Sequence, residues 1–255
     1  MRASIFLFLL AAIGPLHATR IVSIAAASDL VYCLEELNAA FEKAHPGIEL
    51  KTSTGASGNF FAQIKNGAPF DIFLSADVSY PRELIKAGLA VEDSLTNYAI
   101  GHLVVWTALK DVDVSEGLSS LTSATIDKVA IANPEHAPYG RAAKAALEKA
   151  RLWTALKDKI VFGENIAQTA QFIQTGNAGA GIVALSLVLS PKLHGVGRWV
   201  EVPENAYPRL DQAAVLTNRG SANPDAARYL NFLRSPEARK VFDRYGFRLP
   251  EQSAP

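Results

Sequence analysis

Short runs of β-forming residues alternate with helix-patterned stretches along this chain, and that alternation restricts the fold more than any other feature. Ile21-Val22-Ser23-Ile24-Ala25 precedes a stretch with apolar residues at Leu30, Leu34, Leu37 and Phe41, which stops before Pro46-Gly47. Ile48-Glu49-Leu50-Lys51-Thr52 precedes a helix from Gly58 to Lys65. Asp71-Ile72-Phe73-Leu74-Ser75 precedes one from Pro81 to Ala87, closed by Gly88. A βαβαβα order calls for parallel strands with helices on both faces. The pattern restarts downstream, with strands at 102–106, 129–132, 159–162, 181–185 and 199–202 and helices over 141–152 and 165–174. The run 213–216 and the helices over 225–233 and 236–245 are placed to return to the first unit. The expectation is an α/β fold of two lobes, each a mostly parallel sheet flanked by helices, joined by two crossing segments near Gly101 and Pro208. Lobe I then takes residues 19–101 and 208–255, and lobe II takes 102–207.

Residues 1–18 do not belong to that pattern. Met1-Arg2 is followed by the apolar run 5–13, a Gly14-Pro15 break and Leu16-His17-Ala18, which together read as a signal peptide cleaved after Ala18. The apolar run is too short to span a bilayer as a helix. Thr19 follows the cleavage site where a lipid anchor would require Cys, so the expected product is a soluble periplasmic protein. Removing Arg2 from the 25 basic residues leaves 24 against 25 acidic, with no basic run, which argues against nucleic acid or an anionic membrane as partner. The single cysteine, Cys33, falls on the apolar face of the first helix and reads as a buried thiol.

Four segments carry a small or polar residue directly before an expected helix: Ala27-Ser28-Asp29-Leu30, Gly55-Ala56-Ser57-Gly58-Asn59, Pro138-Tyr139-Gly140-Arg141 and Gly163-Glu164-Asn165-Ile166. A helix start leaves N–H groups unpaired and carries partial positive charge, so it attracts anions without Lys or Arg. Each segment follows a strand, where ligands bind in open α/β sheets. Two belong to each unit, so the four can face one another across a cleft and form an oxyanion cage. Ser28 is equally placed as an ordinary N-cap, and Ser57 as part of a flexible turn. Tyr139 has its phenol or its N–H to offer, or packs against its own lobe. Ile166 has only its N–H.

The segment around Ser57 fails G-x-S-x-G at its last position, and of His45, His102, His136 and His194 only His136 falls near a candidate loop. An exported serine hydrolase is therefore the weaker alternative. No metal-binding pattern and no cofactor motif is present, Tyr207 and Tyr229 stand far apart, and Asp71 and Asp77 read as loop and turn residues.

At these residues the chain resembles the periplasmic molybdate-binding proteins of ABC transporters. The resemblance is carried by Ala25-Ala26-Ala27-Ser28-Asp29-Leu30, by Gly55-Ala56-Ser57-Gly58, and above all by Gly67-Ala68-Pro69-Phe70-Asp71-Ile72-Phe73-Leu74-Ser75-Ala76-Asp77. The stretches 133–140, 163–166 and 241–247 add to it. It implies a monomeric, non-enzymatic receptor that closes on molybdate or tungstate and delivers it to a membrane permease. Ser28 and Ser57 then donate through hydroxyl and N–H, and Tyr139 and Ile166 through N–H. All four touch the oxyanion's oxygens rather than the metal itself. Some members add a tyrosine hydroxyl after the Gly-Ile-Val strand, where this chain has Ala184; in a related subgroup the places of Asp29 and Tyr139 contribute instead. Asp29 is expected to meet the ligand through its N–H while its carboxylate faces solvent in the helix first turn. A carboxylate turned into the cleft would instead favour hydrogen phosphate, so phosphate or sulfate remains the alternative within the binding class.

Overall fold

The structure, a computed structural model, describes residues 19–250. The segment read as a signal peptide lies outside them. Two five-stranded sheets form the frame. The first takes β1 (Arg20–Ala27), β2 (Ile48–Gly55), β3 (Ile72–Ser75) and β4 (Thr96–Gly101). The second is built from β5 (Leu103–Thr107), β6 (Val129–Ala132), β7 (Ile160–Gly163), β8 (Ala180–Ala184) and β9 (Arg198–Glu201), after which β10 (Leu210–Leu216) returns to the first. The spatial orders are β2-β1-β3-β10-β4 and β7-β6-β8-β5-β9.

The two-lobed α/β architecture expected from the sequence is present, but its sheets are mixed rather than mostly parallel. In the first, β1 pairs parallel with β2 and β3, while β10 pairs antiparallel with β3 and β4. In the second, β6 pairs parallel with β7 and β8, while β5 pairs antiparallel with β8 and β9. Parallel neighbours require a crossover helix between them. β5 and β10 arrive from the opposite sheet without one, so each enters antiparallel. These two strands follow the chain's two passages between lobes, at His102 and over 202–209.

The helices of eight residues or more follow the strands as the apolar spacing predicts, and three four-residue helices come in addition. A 3-10 turn (Ser28–Leu30) and α1 (Val31–Ala44) follow β1, α2 (Ser57–Lys65) follows β2, and α3 (Ser79–Lys86) follows β3. α4 (Pro138–Lys149) follows β6, then the short α5 (Trp153–Leu156). α6 (Ile166–Gln174) follows β7 and α7 (Leu185–Val188) follows β8. After β10 come α8 (Asn218–Ser221), α9 (Pro224–Phe232) and α10 (Pro236–Arg244). Leu30, Cys33, Leu34, Leu37 and Phe41 form one buried face of the first helical stretch and share a core with Tyr229 and Phe242. α4 sits close on its sheet because Ala142, Ala143 and Ala146 are small. At Gly140 a Cβ would run into the Ala132 carbonyl, so the helix start approaches β6 more closely than any side chain would allow.

Candidate functional site

The four helix starts come together where the lobes meet. Ala167 at the start of α6 donates its N–H to the Ser28 hydroxyl at 3.4 Å, across 139 residues of sequence. Gly58 at the start of α2 donates its N–H to the His136 carbonyl, just before α4, at 2.9 Å. The Tyr139 hydroxyl donates to Asp29 Oδ2 at 2.9 Å. Ser28, Ser57, Tyr139 and Ile166 are each no more than 3 % exposed.

Neither serine acts as a helix cap, the alternative role left open for Ser28, and Ser57 opens α2 rather than lying in a turn. The Ser57 hydroxyl accepts the Ala76 N–H at 3.0 Å, and the Ser28 hydroxyl accepts that of Ala167. A hydroxyl whose lone pair is so used has its own proton left to give. The capping of α6 falls to Asn165, whose Oδ1 accepts from Ala167 and Gln168 at 3.0 Å each. Among the described residues, the N–H groups of Ser57, Tyr139 and Ile166 have no protein acceptor. Both lobes therefore carry donors without a protein acceptor at the helix starts that meet there. A cavity of about 360 Å³ opens beside Ser28 between Tyr32, Thr54, Asn165, Gln168 and Gln171, on the α1–α6 rim.

Asp29 departs from its expected place. Its side chain is not in solvent: the residue is 1 % exposed. The 3-10 turn at Ser28–Leu30 rotates it inward, where Gln212 Nε2 donates to its Oδ2 at 2.6 Å beside the Tyr139 hydroxyl. Tyr98 in turn donates to Gln212 Oε1 at 2.9 Å, so a buried chain of polar groups links β4, β10, Asp29 and α4. Asp29 Oδ1 has no partner among the described residues. Burial pushes the carboxyl up to about 6, against the opposing pull of the Gln212 and Tyr139 hydrogen bonds. Burial, together with the Asp29 charge, also drives the Tyr139 phenol well above its ordinary value, so it remains a donor. With the phenol committed to Asp29, Tyr139 has its N–H to offer the cleft.

Gln212 lies outside the residues that the sequence motifs point to. Its signal is a lone amide inside the apolar strand Leu210–Leu216, which must find partners once buried. A register shift between Gln212 and Ala213 marks a bulge there, the device by which a strand re-aims one side chain. Among the described residues the Ser57 hydroxyl bonds the Ala76 N–H and no histidine ring, while His136 Nε2 lies 3.7 Å from Glu135.

Comparison with known proteins follows the same lines. The family described as bacterial extracellular solute-binding protein matches residues 22–248. The molybdate-binding protein ModA of Azotobacter vinelandii is 41 % identical over 229 residues, covering 89 % of this chain and 90 % of its own. ModA of Rhodobacter capsulatus is 37 % identical over 223 residues, covering 88 % and 86 %. A solved structure of an Azotobacter vinelandii periplasmic molybdate-binding protein superposes with a TM-score of 0.85 at 31 % identity, over 90 % of this chain and all of that one. With a family match running from β1 to beyond α10 and relatives that extend over both sheets, the chain belongs to the bacterial extracellular solute-binding proteins.

Proposed function

We propose that this chain captures molybdate, and tungstate with it, in the cleft between its lobes and hands it to the permease of an ABC importer. The observation that carries the reading is the pair of serine hydroxyls, each accepting a backbone N–H and so left to donate, beside the unpaired N–H groups of Ser57, Tyr139 and Ile166. A fully deprotonated tetrahedral oxyanion accepts at every oxygen and has nothing to donate. Hydrogen bonds to a charged group contribute roughly 1.5–3 kcal/mol each, and micromolar to nanomolar binding needs about 8–12 kcal/mol. A handful of donors is enough after closure costs are met. Selection against sulfate, also a tetrahedral dianion, then comes from the size of the cage. Asp29 takes part through its N–H, with its carboxyl held by Tyr139 and Gln212.

In this reading residues 19–101 and 208–255 move as one lobe and 102–207 as the other, hinged at the two passages between them. The protein works in the periplasm as a monomer after cleavage behind Ala18, and it catalyses no reaction. Calorimetric titration of residues 19–255 with molybdate, tungstate, sulfate and phosphate tests this. Tight binding of the first two alone is expected. Tight phosphate binding would instead give the unpartnered Asp29 Oδ1 the role of proton acceptor, and silence with all four would reject the oxyanion reading.

A further inference from the structure

Arg141 stands in the first turn of α4, two residues after Tyr139, where the helix dipole disfavours a cation. Its position therefore does not serve its own helix. The side chain crosses to lobe I instead. Nη2 meets Asp77 Oδ2 at 2.6 Å, Nη1 donates to the Tyr80 hydroxyl at 2.9 Å, and the guanidinium lies 5.3 Å from the centre of the Tyr80 ring. The receiving half is fixed within lobe I. The Ser79 N–H occupies Asp77 Oδ1 at 2.8 Å, Ser75 donates its hydroxyl to the Asp77 carbonyl at 2.7 Å, and Tyr80 packs on Phe61 at 5.1 Å between ring centres. Only Asp77 Oδ2 and the exposed side of Tyr80 remain to be filled, and they match a planar, forked cation. The bond from Gly58 to His136 belongs to the same rim.

We propose that Arg141, Asp77 and Tyr80 form a clasp that joins the lobes over the bound anion and sets how long it stays. This rests on the oxyanion reading above. The clasp exists only when the lobes are together, so it slows release and has little effect on capture. The rival role for Arg141 is a cation that draws the anion in, and the two roles give opposite signs at Asp77. If Arg141 steers, Asp77→Asn uncovers its charge and strengthens binding. If Arg141 clasps, the same change weakens it.

Stopped-flow mixing with molybdate, following the protein's tryptophan fluorescence, separates them. Arg141→Ala and Asp77→Asn are each expected to raise the dissociation rate about fivefold or more and to leave the association rate within about twofold, as suits a half-exposed ion pair reinforced by a second hydrogen bond. Combining them is expected to add little, because each removes the same contact. A slower association with Arg141→Ala, tighter binding with Asp77→Asn, or fully additive effects would each overturn the clasp. Wild-type protein that binds no molybdate would defeat the ligand reading by itself. Wild-type protein that binds molybdate while both variants release it at the wild-type rate would overturn the clasp alone.

Discussion

At Ser57 one oxygen serves two tasks. It accepts the buried Ala76 N–H and, in the proposed function, gives its proton to the oxyanion, so its removal is expected to act on fold and function together. Ser57→Ala is expected to weaken molybdate binding at least several-fold by calorimetry and to cost about 1–3 kcal/mol of stability, because the Ala76 N–H is left unsatisfied. Unchanged affinity would remove Ser57 from the site. Asp29 carries the opposite kind of cost. An unfolded aspartate titrates near 3.8, and this one titrates at about 6 in the fold. Between those values the folded protein holds a proton that the unfolded chain has released, so stability falls as pH rises through that window, and the penalty is complete above it. Asp29→Asn has no such proton to lose. On going from pH about 7.5 to about 4.5, wild type should therefore gain on Asp29→Asn by about 2 kcal/mol in thermal unfolding. A pH-independent difference would place the Asp29 carboxyl at its ordinary value. The serines were legible in the sequence because small residues before helices stand out. The inward turn of Asp29 was not, since it depends on Gln212, 183 positions away, and on Tyr139, 110 away.

The site's elements are helix starts, and their exactness rests on caps. Asn165 fixes the first turn of α6 and with it the direction of the Ile166 and Ala167 N–H groups. Asn165→Ala should cost about 1 kcal/mol in denaturant unfolding and lower molybdate affinity as well, while Asn165→Asp should retain most of the stability. Equal affinity in all three proteins would separate α6 from the cage. Strands and helices with strong apolar spacing could be read directly from the residues. β4 is not legible, because Thr96-Asn97-Tyr98-Ala99-Ile100-Gly101 has polar and flexible residues at its ends and no sustained alternation. Only the apolar half of β10 was seen, because Asp211 and Gln212 hide the rest. Those two strands flank the passages between lobes, so the mixed character of the sheets was hidden with them. Asp71 lies in the loop before β3, as its sequence suggests, yet local sequence hides its role. It is a buried tie that accepts the Ser23 N–H at 2.8 Å and meets Arg219 at 3.0 Å and Asn223 at 3.2 Å, partners that local sequence does not reveal.

In the proposed function two lobes must come together, and at Gly58 a backbone hydrogen bond crosses between them, its N–H donated to the His136 carbonyl at 2.9 Å. A Cβ at this position would sit 2.7 Å from the His136 carbonyl oxygen of lobe II and 2.8 Å from the Tyr80 hydroxyl. The tyrosine tip can rotate away, whereas the His136 backbone is held by its own bond to Asn133. Gly58→Ala thus puts two effects of opposite sign in one protein. Within α2 alanine is the better helix residue, by up to about 1 kcal/mol, so the ligand-free protein should keep or raise its melting temperature. Against lobe II the methyl obstructs closure at a cost of about 1–3 kcal/mol, so the molybdate Kd should rise by about tenfold or more. Thermal unfolding without ligand and calorimetry with it read the two separately. A mutant that loses stability and affinity in parallel would mean that the contact is part of one rigid body, whereas stability held and affinity lost is the signature of two lobes that must meet to bind.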